Sequence, residues 1–209
     1  RRAGLRFIAN VVQDDQKQVV HVQAGEPEAA FMELVEFAKR LYEVPVPQQY
    51  DVAVAGVGYP KDANLYQASR AASYLFFAPT SVVRPGGVFI VPAPCQEGAG
   101  DGVGEQRFLK AMQDAPGIQF ILEDARQNGY PPGQQRAFVM AKVLEQNEVI
   151  MVGCEDPDLI RSAKFSTAPT IEDAFALADR KLGSELPAGD AVDALVVPHA
   201  LLTLPIVQG

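Results

Sequence analysis

The chain has 209 residues, 48% of them apolar, and a formal net charge of −8. That length and apolar content suit a globular domain with its own core and exclude a disordered chain. An acidic chain repels nucleic acid and anionic membrane, and no stretch approaches the ~20 apolar residues of a transmembrane helix, so neither is expected as a partner.

The chain opens Arg1-Arg2-Ala3-Gly4, without a secretory signal, and runs directly into strand-like sequence. It therefore reads as a fragment of a longer, cytoplasmic protein. Residues 5–12 and 18–23 are β-rich and flank the polar turn Asp14-Asp15-Gln16-Lys17, which predicts a hairpin. Pro27 suits the first position of a helix, whose inward face is predicted from Ala30, Leu34, Ala38 and Leu41. Pro45 and Pro47 end that element. A short apolar strand follows over 51–56, then a helix over 64–77, a turn at Pro85-Gly86-Gly87 and a buried strand over 88–91.

Gly98, Gly100, Gly102 and Gly104 alternate in a loop before a helix over 105–113. Residues 118–125 fit helix or strand equally. Pro131-Pro132-Gly133 introduces a helix containing Phe138, Ala141, Val143 and Leu144; a strand over 148–152 and a short helix over 156–163 come next. Thr170 as N-cap, with Asp173 in the first turn, starts the next helix, and residues 191–197 form the last strong strand. Strand–helix alternation argues for a single α/β domain over 1–209, a mixed open sheet with flanking helices. Ligands of open α/β sheets bind beyond the carboxyl ends of the strands. The segments 56–64, 93–104 and 152–156 leave strands in that way and are expected on one edge.

The segment from Gly56 to Arg70 carries the strongest functional signal. It lacks the later glycines of a dinucleotide fingerprint and the spacing of a P-loop. Asp62 or Asn64 can cap the following helix; Gln67 and Arg70, three apart, then share a face, with Tyr66 on a neighbouring line. A helix N-terminus favours an anion, Arg offers a forked donor for a carboxylate, and Gln adds an amide. The competing reading is a solvated helix face with Lys61-Asp62 as a surface turn.

The run Gly58-Tyr59-Pro60-Lys61-Asp62-Ala63-Asn64-Leu65-Tyr66-Gln67 resembles the C-terminal domain of the nickel-pincer lactate racemase family. Agreement extends, in order, to Ala24-Gly25-Glu26-Pro27-Glu28-Ala29-Ala30, Arg84-Pro85-Gly86-Gly87, Cys95-Gln96-Glu97-Gly98-Ala99-Gly100 and Pro198-His199-Ala200-Leu201-Leu202-Thr203-Leu204-Pro205. The resemblance implies a two-domain racemase or epimerase that interconverts stereoisomers of 2-hydroxy acids by hydride transfer to a nickel-pincer nucleotide. The cofactor's lysine and histidine anchors, and the acid–base histidines, lie on an N-terminal domain that this chain lacks. The isolated chain is therefore expected to be inactive, with no catalytic, cofactor-binding or metal-binding residue of its own.

Carried over residue by residue, the resemblance implies substrate binding by Tyr66, Gln67 and Arg70, with Tyr59, Lys61 and Glu97 as further cleft candidates. Arg70 stands where the family pattern has Lys. Its longer planar fork suits a 2-hydroxy acid other than lactate, including one with a second carboxylate. Phe31 replaces a His common in relatives and reads as packing. Trp is absent, and the region Gly133-Gln134-Gln135-Arg136, where relatives can carry an aromatic cleft residue, is given no role.

The remaining polar residues have plain explanations. His199 reads as a structural histidine after a strand and His21 as a strand residue. Asp51 and Asp193 pair with neighbouring charges or solvent. Glu97 serves helix capping as readily as the cleft, and the alternating glycines form either a mobile loop or an anion nest. Cys95 and Cys154 read as two reduced, half-buried thiols. No Cys/His cluster has metal-ligand spacing. The alternative to a racemase domain is a non-catalytic α/β module that binds a small anionic metabolite or mediates subunit contacts; oligomerisation is compatible with both.

Overall fold

The computed structural model describes residues 4–183 and 191–208. The expected hairpin is β1 (Ile8–Gln13) and β2 (Val19–Gly25), paired antiparallel. The Asp14 carboxylate closes its turn by accepting the Gln16 and Gln18 N–H groups. Helix α1 (Pro27–Tyr42) starts at Pro27, and Glu26 caps it by accepting the Ala29 N–H at 2.9 Å. Ala30 and Leu34 are buried as expected, whereas Leu41 is exposed because the two-stranded hairpin is too narrow to cover the whole helix. Phe31 departs from its reading as packing: it is 53% exposed and borders a groove between α1 and β1.

Pro45 does not simply end this element. It lies within β3 (Glu43–Val46), which pairs in parallel with β9 (Leu204–Val207). Both strands are four residues long and contain a proline, so neither carries the pattern that announces a strand.

The main sheet contains β4 (Tyr50–Ala55), β5 (Val83–Pro92), β6 (Glu148–Val152), β7 (Ser166–Ala168) and β8 (Ala194–Val197). Their spatial order is β7-β6-β5-β4-β8, and every pairing is parallel. The α/β class, with an open sheet and flanking helices, is as expected. The antiparallel pair forms a sheet of its own instead of an edge of the large one, so mixed pairing is divided between sheets.

Both faces of the large sheet are covered, which is why β4, β5 and β6 are nearly continuous apolar runs. Helices α2 (Leu65–Ala68), α3 (Arg70–Phe76), α4 (Val103–Asp114), α5 (Ile118–Asn128), α6 (Gln135–Gln146) and α7 (Pro157–Ser162) contribute to the core on one face, where Phe89, Phe108, Met112, Leu122 and Met140 are fully buried. The ambiguous segment 118–125 is thus helical, with Ile121 and Leu122 turned inward. On the other face α8 (Ile171–Leu182) lays Ala174, Ala178 and Leu182 over Val88, Ile90 and Ile150. Thr170 caps α8 by accepting the Asp173 N–H, as predicted.

The expected turn at 85–87 is a bulge inside β5. Tyr50 is opposite Val83, but Val52 is opposite Val88. Gly87 is required there, because a Cβ would lie 2.4 Å from the Asp51 carbonyl oxygen. The Asn147 amide donates to the carbonyls of Arg84 and Gly87, filling acceptors the bulge leaves open. Asp51 joins three strands at this end. Its carboxylate accepts from the Arg84 guanidinium on β5 and from the Asp193 N–H, at 2.8 Å, just before β8. Burial opposes ionisation of Asp51, yet the Arg84 and Asp193 bonds prevail and hold its carboxyl below the usual carboxylate range.

No helix among the described residues is long and apolar enough to cross a membrane.

Asp51→Asn is expected to destabilise the fold at pH 7 by about 1.5–3 kcal/mol, the worth of hydrogen bonds to a charged group. A carboxyl depressed on folding contributes stability above its unfolded value of about 3.9, and that contribution is lost as pH falls through the lower folded value. Urea unfolding of both proteins should therefore show a gap at pH 7 that narrows below about pH 4.

Candidate functional site

Because β4, β5 and β6 are parallel neighbours, the segments that leave them emerge on the same edge, as expected. Backbone hydrogen bonds join these segments directly. Cys95 N–H donates to the Asp62 carbonyl at 3.0 Å, Glu97 N–H to Ala63 at 2.8 Å, and Leu65 N–H to Gly98 at 2.8 Å. Glu155 N–H donates to the Pro94 carbonyl at 2.8 Å, which brings in the segment after β6. The segment after β8 closes the group. Gly56 donates to Val197 and accepts from Ala200, and a Cβ at Gly56 would lie 2.2 Å from the Pro198 carbonyl oxygen. Only glycine permits that approach.

Asn64 supplies the N-cap. In extended conformation, it accepts the Gln67 N–H at 3.0 Å, while its own amide reaches the Glu97 carboxylate at 3.4 Å. Glu97 thus bears on the cap residue rather than on Gln67 or Arg70. The helix predicted over 64–77 is broken at Ser69 into α2 and α3. Ser69 Oγ donates to the Tyr66 carbonyl and Ser73 Oγ to the Arg70 carbonyl, local bonds that compete with the helical ladder and bend it. With α2 only four residues long, its dipole is too short to hold an anion. Any anion here is held by side chains.

Those side chains form one cluster. Arg70 Nη1 donates to Gln67 Oε1 at 3.1 Å, Nη2 donates to the Tyr74 hydroxyl, and Nε is buried with no acceptor. Arg136, at the start of α6, donates from Nη1 to Ser73 Oγ at 2.8 Å and lies over the Tyr66 ring, 5.6 Å from its centroid. Tyr66 also packs edge-on against Phe108. Burial, with the nearby Arg70 charge, holds the Arg136 guanidinium below its usual range. Arg136 and Ser73 line a groove of ≈ 690 Å³ whose walls include Tyr74, Phe77, Val139 and Leu202.

Sequence reasoning missed Arg136. One signal was available: a cation in the first turn of a helix opposes the helix dipole, so its presence there calls for another reason.

The other candidates lie elsewhere. Tyr59 is 83% exposed, Lys61 is exposed, and neither side chain makes a hydrogen bond or ion pair among the described residues. His21 stacks on Phe37 with ring centroids 4.2 Å apart. His199 is exposed, and its carbonyl accepts from Leu202 and Thr203. The glycine loop is tied down by side chains in the first turn of α4. Glu105 accepts the Gly102 N–H at 2.8 Å, and the Gln106 amide donates to the Gly100 carbonyl. A carboxylate of α4 thus already takes the Gly102 N–H that an anion held by the loop would use.

Cys95 and Cys154, distant in sequence, meet at the carboxyl ends of β5 and β6. Both are free thiols; Cys95 is buried and Cys154 half-buried. Cys154 Sγ also donates to the Ala93 carbonyl at 3.2 Å. The interaction of the two thiols holds Cys154 below the usual thiol range and, with burial, pushes Cys95 up.

A family model described as the lactate racemase C-terminal domain matches residues 47–197. Lactate racemase of Lactiplantibacillus plantarum is 32% identical over 206 residues, covering 96% of this chain and 45% of that protein. Lactate racemase of Thermoanaerobacterium thermosaccharolyticum is 28% identical over 180 residues, covering 86% of this chain and 41% of that protein. The chain thus spans under half the length of these curated relatives. In the solved structure of the T. thermosaccharolyticum lactate racemase apoprotein, 47% of that chain matches 98% of this one, with a TM-score of 0.81 at 24% identity. A Thermotoga maritima protein of known crystal structure matches with a TM-score of 0.61 at 15% identity, over 97% of this chain and 49% of its own. At these identities the structural likeness shows the fold alone.

Asn64→Ala is expected to cost about 1 kcal/mol, as for other lost N-caps, read as a lower midpoint in denaturant unfolding. Alkylation at neutral pH should modify Cys154 well before Cys95, because Cys154 is both the more exposed thiol and the one held toward the thiolate. Peptide mass mapping over time reads the order; equal rates would contradict it.

Proposed function

The chain belongs to the lactate racemase C-terminal domain family, and on that premise we propose that it is the substrate-side domain of a racemase or epimerase acting on a 2-hydroxy acid. The observation that carries this reading is the Gln67–Arg70 pair, hydrogen-bonded at 3.1 Å on the ligand edge of a parallel sheet. Arg70 has only neutral acceptors among the described residues. A substrate carboxylate supplies the missing charge, and the guanidinium fork receives it through two parallel N–H donors. Gln67 adds an amide for a carboxylate or hydroxyl oxygen. Asn64, held by the stitched segments, sets the position of both, so the clamp is organised before substrate arrives.

The chain's own donors do not fit a nickel site. Among the described residues no three His, Cys, Asp or Glu side chains converge, and His21 and His199 occupy unrelated places. On this reading the nickel-pincer nucleotide and the acid–base histidines belong to the other half of the full-length protein. This chain binds and orients substrate, and the isolated chain is inert.

In the full-length protein with its cofactor installed, Arg70→Ala should cost about 2–4 kcal/mol of transition-state binding, roughly 30- to 1,000-fold in kcat/KM. Its thermal midpoint should stay near that of the unmodified protein, because Arg70 forms no ion pair among the described residues. Unchanged kinetics across a panel of 2-hydroxy acids would remove Arg70 from the site.

A further inference from the structure

The cluster described above has an unbalanced charge. Arg70 and Arg136 are both half-buried and close enough for the charge of one to disfavour that of the other. Their partners among the described residues are all neutral: Gln67 and Tyr74 accept from Arg70, Ser73 accepts from Arg136, and the Tyr66 ring lies under the Arg136 guanidinium. No described carboxylate pairs with either guanidinium, although the chain carries 26 Asp and Glu residues against 18 Lys and Arg. The desolvation of two like charges without a counterion is costly, and an anion bound between them relieves the cost.

Several devices hold the pair in this state. Arg136 lies in the first turn of α6, where the helix dipole opposes a cation. Ser73 fixes one of its nitrogens, and the Tyr66 face supports its plane. Ser73 sits one turn beyond Arg70 on α3, so a single short helix sets the spacing of the two guanidiniums. Arg136 opens onto the ≈ 690 Å³ groove, which far exceeds what a three-carbon acid fills. Guanidinium donors that are not committed to these neutral partners remain for a ligand, since each side chain carries five N–H groups.

We infer that Arg70 and Arg136 form a two-point dianion site, and that the substrate is a 2-hydroxy acid with a second carboxylate, bound by Arg136. This rests on the substrate-side reading above, with Arg70 as the clamp for the first carboxylate. Arg136 is then a specificity-determining residue that sequence spacing does not connect to Arg70.

The test is calorimetric binding to the full-length protein with its cofactor installed, which needs no turnover. The probes are 2-hydroxybutanedioate and 2-hydroxybutanoate, equal in carbon number and different in one carboxylate. The dicarboxylate is expected to bind at least about tenfold tighter, the scale of one charged hydrogen-bonded contact. Arg136→Met should bring the ratio of the two affinities close to one, while Arg136→Lys should keep part of the preference by retaining the charge. A circular-dichroism melt of each variant identifies any loss of fold, and the Lys variant then carries the comparison.

Equal binding of the two probes by the unmodified protein would overturn the inference. So would an Arg136→Met variant that keeps the preference, or inorganic phosphate competing as well as the dicarboxylate. In each case the substrate-side reading survives if 2-hydroxybutanoate binding still depends on Arg70. If Arg70→Ala leaves both affinities unchanged, both proposals fall.

Discussion

Three backbone hydrogen bonds between the segment after β4 and the segment after β5 hold the candidate site together: Cys95 to Asp62, Glu97 to Ala63 and Leu65 to Gly98. They satisfy polar groups of irregular chain that would otherwise be stranded at the edge of a buried sheet. They also present Asn64 in the extended conformation that an N-cap needs, and Asn64 in turn starts the turn that carries Tyr66 and Gln67. The position of Arg70 follows from the break at Ser69 immediately before it. The candidate site thus rests on main-chain bonding between two loops rather than on a long helix.

The opposite end of β4 is equally constrained, by charge instead of backbone. Asp51 accepts from Arg84 and from the Asp193 N–H, joining β4 to its two neighbours in the sheet. The bulge that presents Arg84 requires Gly87 because the chain passes too close to the Asp51 carbonyl for a side chain. Gly56 has the same role against Pro198 at the carboxyl end. Strand β4 is therefore fixed at both ends by contacts that tolerate little substitution. The ligand edge is carried on that rigid strand, as precise placement of binding groups demands.

Much of this was legible in sequence because local chemistry decided it. Pro27, the choice of Asp62 or Asn64, and Thr170 mark helix starts in the sequence, and Glu26, Asn64 and Thr170 cap those helices. The apolar runs at 51–56, 88–91 and 148–152 are strands because both sheet faces are covered. The short β3, β7 and β9 were not legible: two contain proline, and each is only three or four residues long, too short for a period. Residues 85–87 look like a turn because Pro-Gly-Gly suits both a turn and a bulge, and only pairing with β4 distinguishes them.

The sequence alone determined the α/β class, the strand edges that carry the candidate site, and the Gln67–Arg70 spacing from which the proposed clamp is drawn. These follow from periodicity, capping and side-chain chemistry, all of which act over a few residues. Tertiary structure decided that Arg136, 66 positions beyond Arg70, joins the same cluster through Ser73 and Tyr66. It likewise decided that Cys95 meets Cys154, that Tyr59 and Lys61 stay in solvent, and that the helix breaks at Ser69. Parallel strand pairing brings distant chain segments side by side, and neither charge balance nor neighbourhood across a sheet edge is encoded in local spacing.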